Sequence, residues 1–303
     1  MVPFPASILL NFKFMKHDRW DNALFLHWKI PLHLEKVLEE NTHPFELERY
    51  PDKNGDGKGS YYVGLILLTE QAVGPAVGRS HWTTVTHHGV NVRTYVHGIA
   101  GTTTRQYRPG IHFSSLECND ELTSWGANWF GMPYQVGTIE RCFDDQDEEN
   151  KDGKSATNFR LVSRRGGSPK PSIIRLIGNA VTRLLRKATK TQDSTAQASF
   201  TVDCTWSLCN NDSSAPATDF AKWAVERYYV YTHKYGLNWS GQVEHEPWPL
   251  ESVKLDSLKI SDIESYEPSG MRPILEHMAN HPPDSVLFSR GVGPVLFNML
   301  RTV

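Results

Sequence analysis

A glycine–methionine–proline corner, Gly131-Met132-Pro133, joins an aromatic, helix-like run to a strand-like run, and it limits this chain more than any other feature. Pro133 cannot donate to a β-ladder, and it biases Met132 toward extended backbone, so the corner has little freedom. Upstream, Val90-Asn91-Val92-Arg93-Thr94-Tyr95-Val96 alternates β-branched and aromatic residues with polar ones. Gly110-Ile111-His112-Phe113-Ser114-Ser115-Leu116-Glu117 alternates again. Period-two alternation over this length predicts strands with two chemically different faces. Residues 122–130 read as a short aromatic helix and 134–143 as the next strand. A polar, aromatic-rich sheet face held by a stiff corner is a wall for a ligand pocket.

The rest of the chain supports a mainly β, α+β domain. Strands are expected at 21–30, 60–70, 158–165, 198–208, 237–245 and 285–289, and at Val295-Leu296-Phe297. Amphipathic helices are expected at 32–40 and 218–231, the second with Asp219 near its start and Phe220, Trp223, Ala224 and Tyr228 on its apolar side. Residues 256–264 read as helix or loop. Residues 71–89, rich in Gly and His, read as a loop that would suit a lid. Asp52, Asn54, Asp56 and Gly57 imitate half of a calcium loop, but Val63 stands where such a loop needs a bidentate Glu, so a polar turn is the better reading. The acidic run 144–155 is a solvated hairpin tip. Residues 166–197 read as an insertion whose helix, 172–190, starts at a capping Ser172. Its arginines and lysines lie largely off the apolar stripe. Packing on the domain with those charges in water is preferred to contact with a membrane surface.

Composition narrows the classes of function. The 303 residues are 39% hydrophobic, enough for one sizeable core, and one domain over 1–303 is expected. A net charge of −2 gives no field toward nucleic acid or anionic lipid, and no basic patch interleaves with the aromatics. Cys118, Cys142, Cys204 and Cys209 form no zinc or redox spacing and read as reduced thiols of a cytoplasmic protein. No transmembrane run and no secretory leader is read. There is no nucleophile elbow, phosphate loop or dinucleotide fingerprint. His81, His87, His88 and His97 lack a carboxylate at ligand spacing, so neither a metal nor a cofactor is expected.

Three motifs carry a resemblance to a known family: Leu24-Phe25-Leu26-His27-Trp28-Lys29-Ile30-Pro31; the run from Asn91 to Val96 with Gly110 to Leu116; and Glu226-Arg227-Tyr228 through Val243-Glu244-His245-Glu246-Pro247-Trp248-Pro249-Leu250. Together they span most of the chain. It resembles the YqjF-like family of the acetoacetate-decarboxylase-like superfamily. The resemblance implies an antiparallel β-barrel or double sheet with flanking helices and one helical insertion. In acetoacetate decarboxylases the corner reads Gly-Arg-Glu, two residues, then Gly-Phe-Pro-Lys-Lys, and the first lysine forms a Schiff base. Here the spacing from Gly126 to Pro133 is kept, but Tyr134 and Gln135 replace the lysines and Ala127-Asn128 replaces Arg-Glu. A phenol cannot form an imine, so decarboxylation by that route is disfavoured.

The remaining polar set suits an oxygen-rich or anionic small molecule. Arg93 presents a planar fork to a carboxylate, and Asn91 and Tyr95 share its strand face. His112 and Ser114 share one face of the next run, with Phe113, Ser115 and Glu117 on the other. Convergence of Arg93, His112 and Tyr134 is expected, with Tyr134 as donor or weak acid and His112 as base. Asn91, Tyr95, Ser114, Trp129 and Gln135 would contact the ligand. Glu244-His245-Glu246 is a weaker constellation, because on a strand His245 would face opposite to both glutamates, and Trp248 between its prolines reads as structural rather than as a stack over the pocket mouth. The function expected is a lyase- or isomerase-type enzyme acting on a carbonyl- or carboxylate-bearing metabolite without an imine. The alternative is a non-catalytic binding protein with the same pocket. Self-association is left open.

Overall fold

The computed structural model describes residues 13–303 apart from 52–56, 81–82, 100–107, 130, 144–157, 166–199, 210–217, 235, 267 and 299. Among the described residues the chain begins with β1 (Lys13–His17), β2 (Arg19–Lys29), α1 (Leu32–Thr42), β3 (Phe45–Leu47), β4 (Tyr62–Pro75), β5 (Val85–Ile99) and β6 (Gly110–Cys118). Next come α2 (Glu121–Trp129), β7 (Tyr134–Phe143), β8 (Asn158–Arg165), β9 (Thr201–Leu208), α3 (Asp219–Val225), β10 (Tyr229–Lys234) and β11 (Leu237–Glu244). The last elements are β12 (Leu250–Glu251), β13 (Val253–Ser261), α4 (Arg272–Asn280), β14 (Ser285–Val292), β15 (Val295–Asn298) and β16 (Arg301–Thr302).

A subset of these strands closes on itself. β4 pairs with β5, β5 with β6, β6 with β10, β10 with β11, β11 with β15, and β15 with β1, which returns to β4. Closure removes the free edges of this part of the sheet. The expected barrel is therefore present, although the pairings of β6 with β10 and with β7 are parallel. Two wings extend from the ring. β2, β14 and β12 continue from β4, and β7, β8, β9 and β13 continue from β6.

The burial pattern of β2 shows why the ring and the wings are separate compartments. Six consecutive residues, Ala23 to Trp28, are buried. Leu24, Leu26 and Trp28 join a core between the wings, with Phe159, Phe200, Trp206 and Phe288. Ala23 and Phe25 point the other way, into a cluster inside the ring with Ile66, Leu68, Ile111 and Val243. Two buried faces on one strand follow from the two-residue period.

Several expectations change. The region 71–89 is not a loop throughout. β4 continues to Pro75 and β5 begins at Val85. A bulge between Glu70 and Val73 interrupts the alternation there. At its centre Ala72 has a φ of 48°, and its N–H donates to Thr86 Oγ1 at 3.0 Å. The helix expected over 218–231 stops at Val225, and the β-branched and aromatic run after it is β10. Residues 253–261 form strand β13 rather than helix or loop; a bulge between Leu255 and Ser257 hides its period. α4 is not among the expected elements, although Pro273 in its first turn and Ile274, Leu275 and Met278 at helical spacing are its signals in the sequence. The centre of the calcium-like turn, the acidic tip and the 166–197 insertion lie outside the described residues.

Candidate functional site

The ring encloses a cavity of about 410 Å³. Each strand contributes the residues on its inward face: His17 from β1, Ile66, Leu68 and Glu70 from β4, Asn91 and Arg93 from β5, Ile111, Phe113 and Leu116 from β6, and Phe297 from β15. The corner after α2 adds Met132 and Tyr134. Arg227 lines the wall beside β10, and His245 and Trp248 lie just beyond β11.

Arg93 is the site's unusual charge. It is 7% exposed. Its Nη2 donates to the Ala224 carbonyl at 3.0 Å, and its guanidinium carbon lies 5.7 Å from the ring centres of Phe25 and Tyr95. Its Nε has no hydrogen-bond partner among the described residues. The neighbouring buried arginines are compensated: Arg227 Nη1 donates to Glu48 Oε2 at 2.6 Å and Arg165 Nη2 to Glu117 Oε1 at 2.7 Å. Arg93 has no carboxylate within ion-pair distance among the described residues. A buried cation without an anion is costly, so Arg93 leaves a positive charge at the cavity that no described carboxylate offsets.

The Ala224 carbonyl is held by α3, whose N-cap Thr218 accepts from the Ala221 N–H at 3.0 Å. Thr218→Ala removes that acceptor and is expected to cost about 1 kcal/mol of stability in urea unfolding. It should also loosen the anchor that the Ala224 carbonyl gives Arg93.

Tyr134 follows the proline corner and lines the cavity. Burial, together with the negative charge of Glu70, pushes its phenol well above the usual range. It therefore donates hydrogen bonds and does not act as a base near neutral pH. Burial also pushes the Cys118 thiol up to about 12, which makes it a poor nucleophile.

Near Tyr134 is a group the sequence did not reveal. Glu70 is 4% exposed and lies between two buried histidines. Its Oε2 is 2.9 Å from His17 Nδ1 and its Oε1 is 3.5 Å from His87 Nε2. Burial pushes the Glu70 carboxyl up, but the charge of His87 and hydrogen bonds from both histidines more than offset this and hold it well below its ordinary value. The Trp20 indole N–H also reaches His17 Nδ1, at 2.8 Å. One nitrogen cannot donate to Glu70 and accept from Trp20 at once, so the His17 proton has two competing arrangements. Among the described residues no group of three or more His, Cys, Asp or Glu is arranged to hold a metal ion.

The structure brings together some of the expected site residues and separates others. Arg93, Asn91 and Tyr134 meet at the cavity. Tyr95 shares the strand face of Arg93 but is fully buried against Trp223, with ring centres 4.5 Å apart, and does not line the cavity. His112 is on the opposite face of β6, because Ile111 and Phe113 take the inward positions. Its Nδ1 is 3.0 Å from the Tyr231 carbonyl and its ring packs on Phe45. Burial pulls it down to about 4, so it is neutral and remote from the cavity. Ser114 is the extra residue of a bulge, because Arg93 pairs with Phe113 and Val92 with Ser115. The bulge inverts the faces beyond it, so Ser115 and Glu117 point away from the cavity rather than sharing the side of Phe113. Gln135 pairs with Glu117 and does not line the cavity either. The side chain of Trp129 is outside the described residues. Glu70 did carry one signal: it continues the inward series Ile66, Leu68 at the two-residue period.

The chain matches the DUF2071 family, described as an uncharacterized conserved protein, over residues 17–293. The chain belongs to the DUF2071 family. The uncharacterized protein YqjF of Bacillus subtilis (strain 168) is 24% identical to this DUF2071 chain over 238 residues, covering 78% of it and 75% of YqjF. Among solved structures, an acetoacetate decarboxylase-like enzyme from Sphingomonas wittichii RW1 superposes with a TM-score of 0.55 at 9% identity, covering 100% of this chain and 98% of that one. The enduracididine biosynthesis enzyme MppR, complexed with the condensation product of pyruvate and imidazole 4-carboxaldehyde, gives 0.51 at 11% identity, covering 97% and 90%. At these identities the likeness is one of fold. This DUF2071 member therefore has the acetoacetate-decarboxylase-like fold. No helix among its described residues is long and apolar enough to cross a membrane.

Proposed function

We propose that this cavity binds a small carboxylate-bearing metabolite and acts on it by acid–base chemistry of the lyase or isomerase type, without a Schiff-base lysine. The observation that carries this reading is Arg93, a buried guanidinium with an unpaired Nε and no carboxylate partner among the described residues. A bound carboxylate would accept from it in charge-assisted geometry, with Asn91 adding a neutral contact. Tyr134, held protonated, would donate to a ligand carbonyl oxygen. The base assigned from sequence to His112 passes to the cavity histidines, His17 backed by Glu70 and His245. Small-molecule relatives of the fold, including one complexed with a pyruvate-derived product, support a metabolite-sized ligand. All four cysteines are free, in keeping with a cytoplasmic setting.

No lysine is among the described residues lining the cavity. Borohydride treatment in the presence of 2-oxo acids is therefore expected to give no covalent adduct, as read by intact-mass spectrometry. An adduct on any lysine would overturn the imine-free mechanism. The non-catalytic alternative is favoured by Tyr134 itself, which keeps the pocket while removing the nucleophile. Thermal-shift screening of carboxylate metabolites followed by turnover assays separates the two. Binding without turnover for every hit selects the binding protein.

A further inference from the structure

We infer that the cavity takes an elongated monocarboxylate, with its head on Arg93 and an apolar chain of about six to ten carbons running toward Glu70 and His17. This deepens the carboxylate reading above and rests on it. Three observations support it.

The first is length. In the β4–β5 ladder Gly64 lies opposite Arg93, and Glu70 lies opposite His87. Six positions separate the two pairs, roughly 20 Å at about 3.3 Å per residue. Arg93 and Glu70 therefore mark two ends of one wall. The second is the chemistry between those ends. The intervening inward positions of β4 are Ile66 and Leu68, and Phe25, Phe113, Leu116 and Val243 close the other sides. At the matching position on β5 stands Gly89, where a Cβ would come within 3.3 Å of Glu70 Oε1 and 3.4 Å of Leu68 Cδ2. A side chain there would press on the two residues that line this stretch of the wall. The third is capacity. A volume of about 410 Å³ holds on the order of ten or more waters at ~30 Å³ each, far more than a three-carbon acid displaces. Apolar walls gain from a chain that fills them.

The far end sets the sign of the tail. Glu70 has only histidines as ion-pair partners among the described residues. A second carboxylate on the ligand would sit beside it and be repelled, so the site selects a monoacid over a diacid of equal length.

The test is calorimetric titration of the full chain with acetate, butanoate, hexanoate, octanoate and decanoate, and with 1-octanol and octanedioate. Affinity should rise about fourfold per added methylene and stop rising near eight to ten carbons. Octanol and octanedioate should each bind about tenfold or more weaker than octanoate. Glu70→Gln should narrow the diacid gap, and Leu68→Phe, which fills the passage without touching Arg93, should move the optimum to shorter acids. Equal affinity from acetate to octanoate overturns the elongated ligand and leaves the carboxylate reading intact. Octanedioate binding as well as octanoate overturns the placement of the tail at Glu70. Octanol matching octanoate, or no binding of any acid, removes the carboxylate reading itself.

Discussion

Glu117→Ala is expected to lower the stability of this protein by about 3–5 kcal/mol. Glu117 is 0% exposed and faces away from the cavity. Arg165 holds one of its oxygens through Nε at 3.0 Å and Nη2 at 2.7 Å, and Ser163 Oγ donates to the other at 3.1 Å. The guanidinium packs within the core beside an edge-to-face aromatic pair, its carbon 4.3 Å from the centre of the Tyr266 ring and 5.6 Å from that of Phe200. Truncating Glu117 strands that guanidinium without its counter-charge, and the loss comes mainly from the charge left behind. The double variant Glu117→Met with Arg165→Met removes both charges and should recover most of the loss. Urea unfolding of the wild type, the two single variants and the double variant closes the cycle. If Glu117→Ala costs no more than a surface substitution, the pair does not clamp β6 to β8.

The same strand shows what the sequence could and could not disclose. Alternation along 90–96 and 110–117 correctly gives β5 and β6, and Arg93, Asn91 and Tyr134 reach the cavity as their faces and the proline corner imply. A period of two specifies relative faces only while it is unbroken. The bulge at Ser114 shifts the phase, so Phe113 and Glu117, on one side by counting, end on opposite sides of the sheet. His112 fails for a related reason: its face follows from its neighbours, but which face is enclosed depends on ring closure by β10, β11, β15 and β1. Glu70 carries its strand period in the sequence, but its meeting with His17 and His87 does not show there, because the three come from separate strands joined only through pairings of β4 with β1 and β5. Their spacing matches no local motif. The compensation of Arg227 by Glu48 is likewise a contact across 179 positions. Only such contacts distinguish a structural arginine from Arg93.

That distinction yields the second large effect. Arg93→Ala is expected to weaken carboxylate binding by about 1.5–3 kcal/mol, roughly 10- to 150-fold, in titrations with octanoate. Arg93→Lys should restore only part of this, since a point charge cannot satisfy both carboxylate oxygens and the Ala224 carbonyl. Without ligand the large loss expected for Glu117→Ala should be absent. Arg93 contributes a hydrogen bond and contacts with Phe25 and Tyr95, but it carries a desolvated charge that no neighbouring carboxylate offsets. Removing it relieves that cost, so the unliganded variant should unfold within about 1 kcal/mol of wild type, or later. A residue kept for stability shows the opposite pair of results. If Arg93→Ala unfolds as early as Glu117→Ala while octanoate binding is unchanged, Arg93 is a structural residue, and the site must be rebuilt around Arg227, His245 or the His17–Glu70 pair.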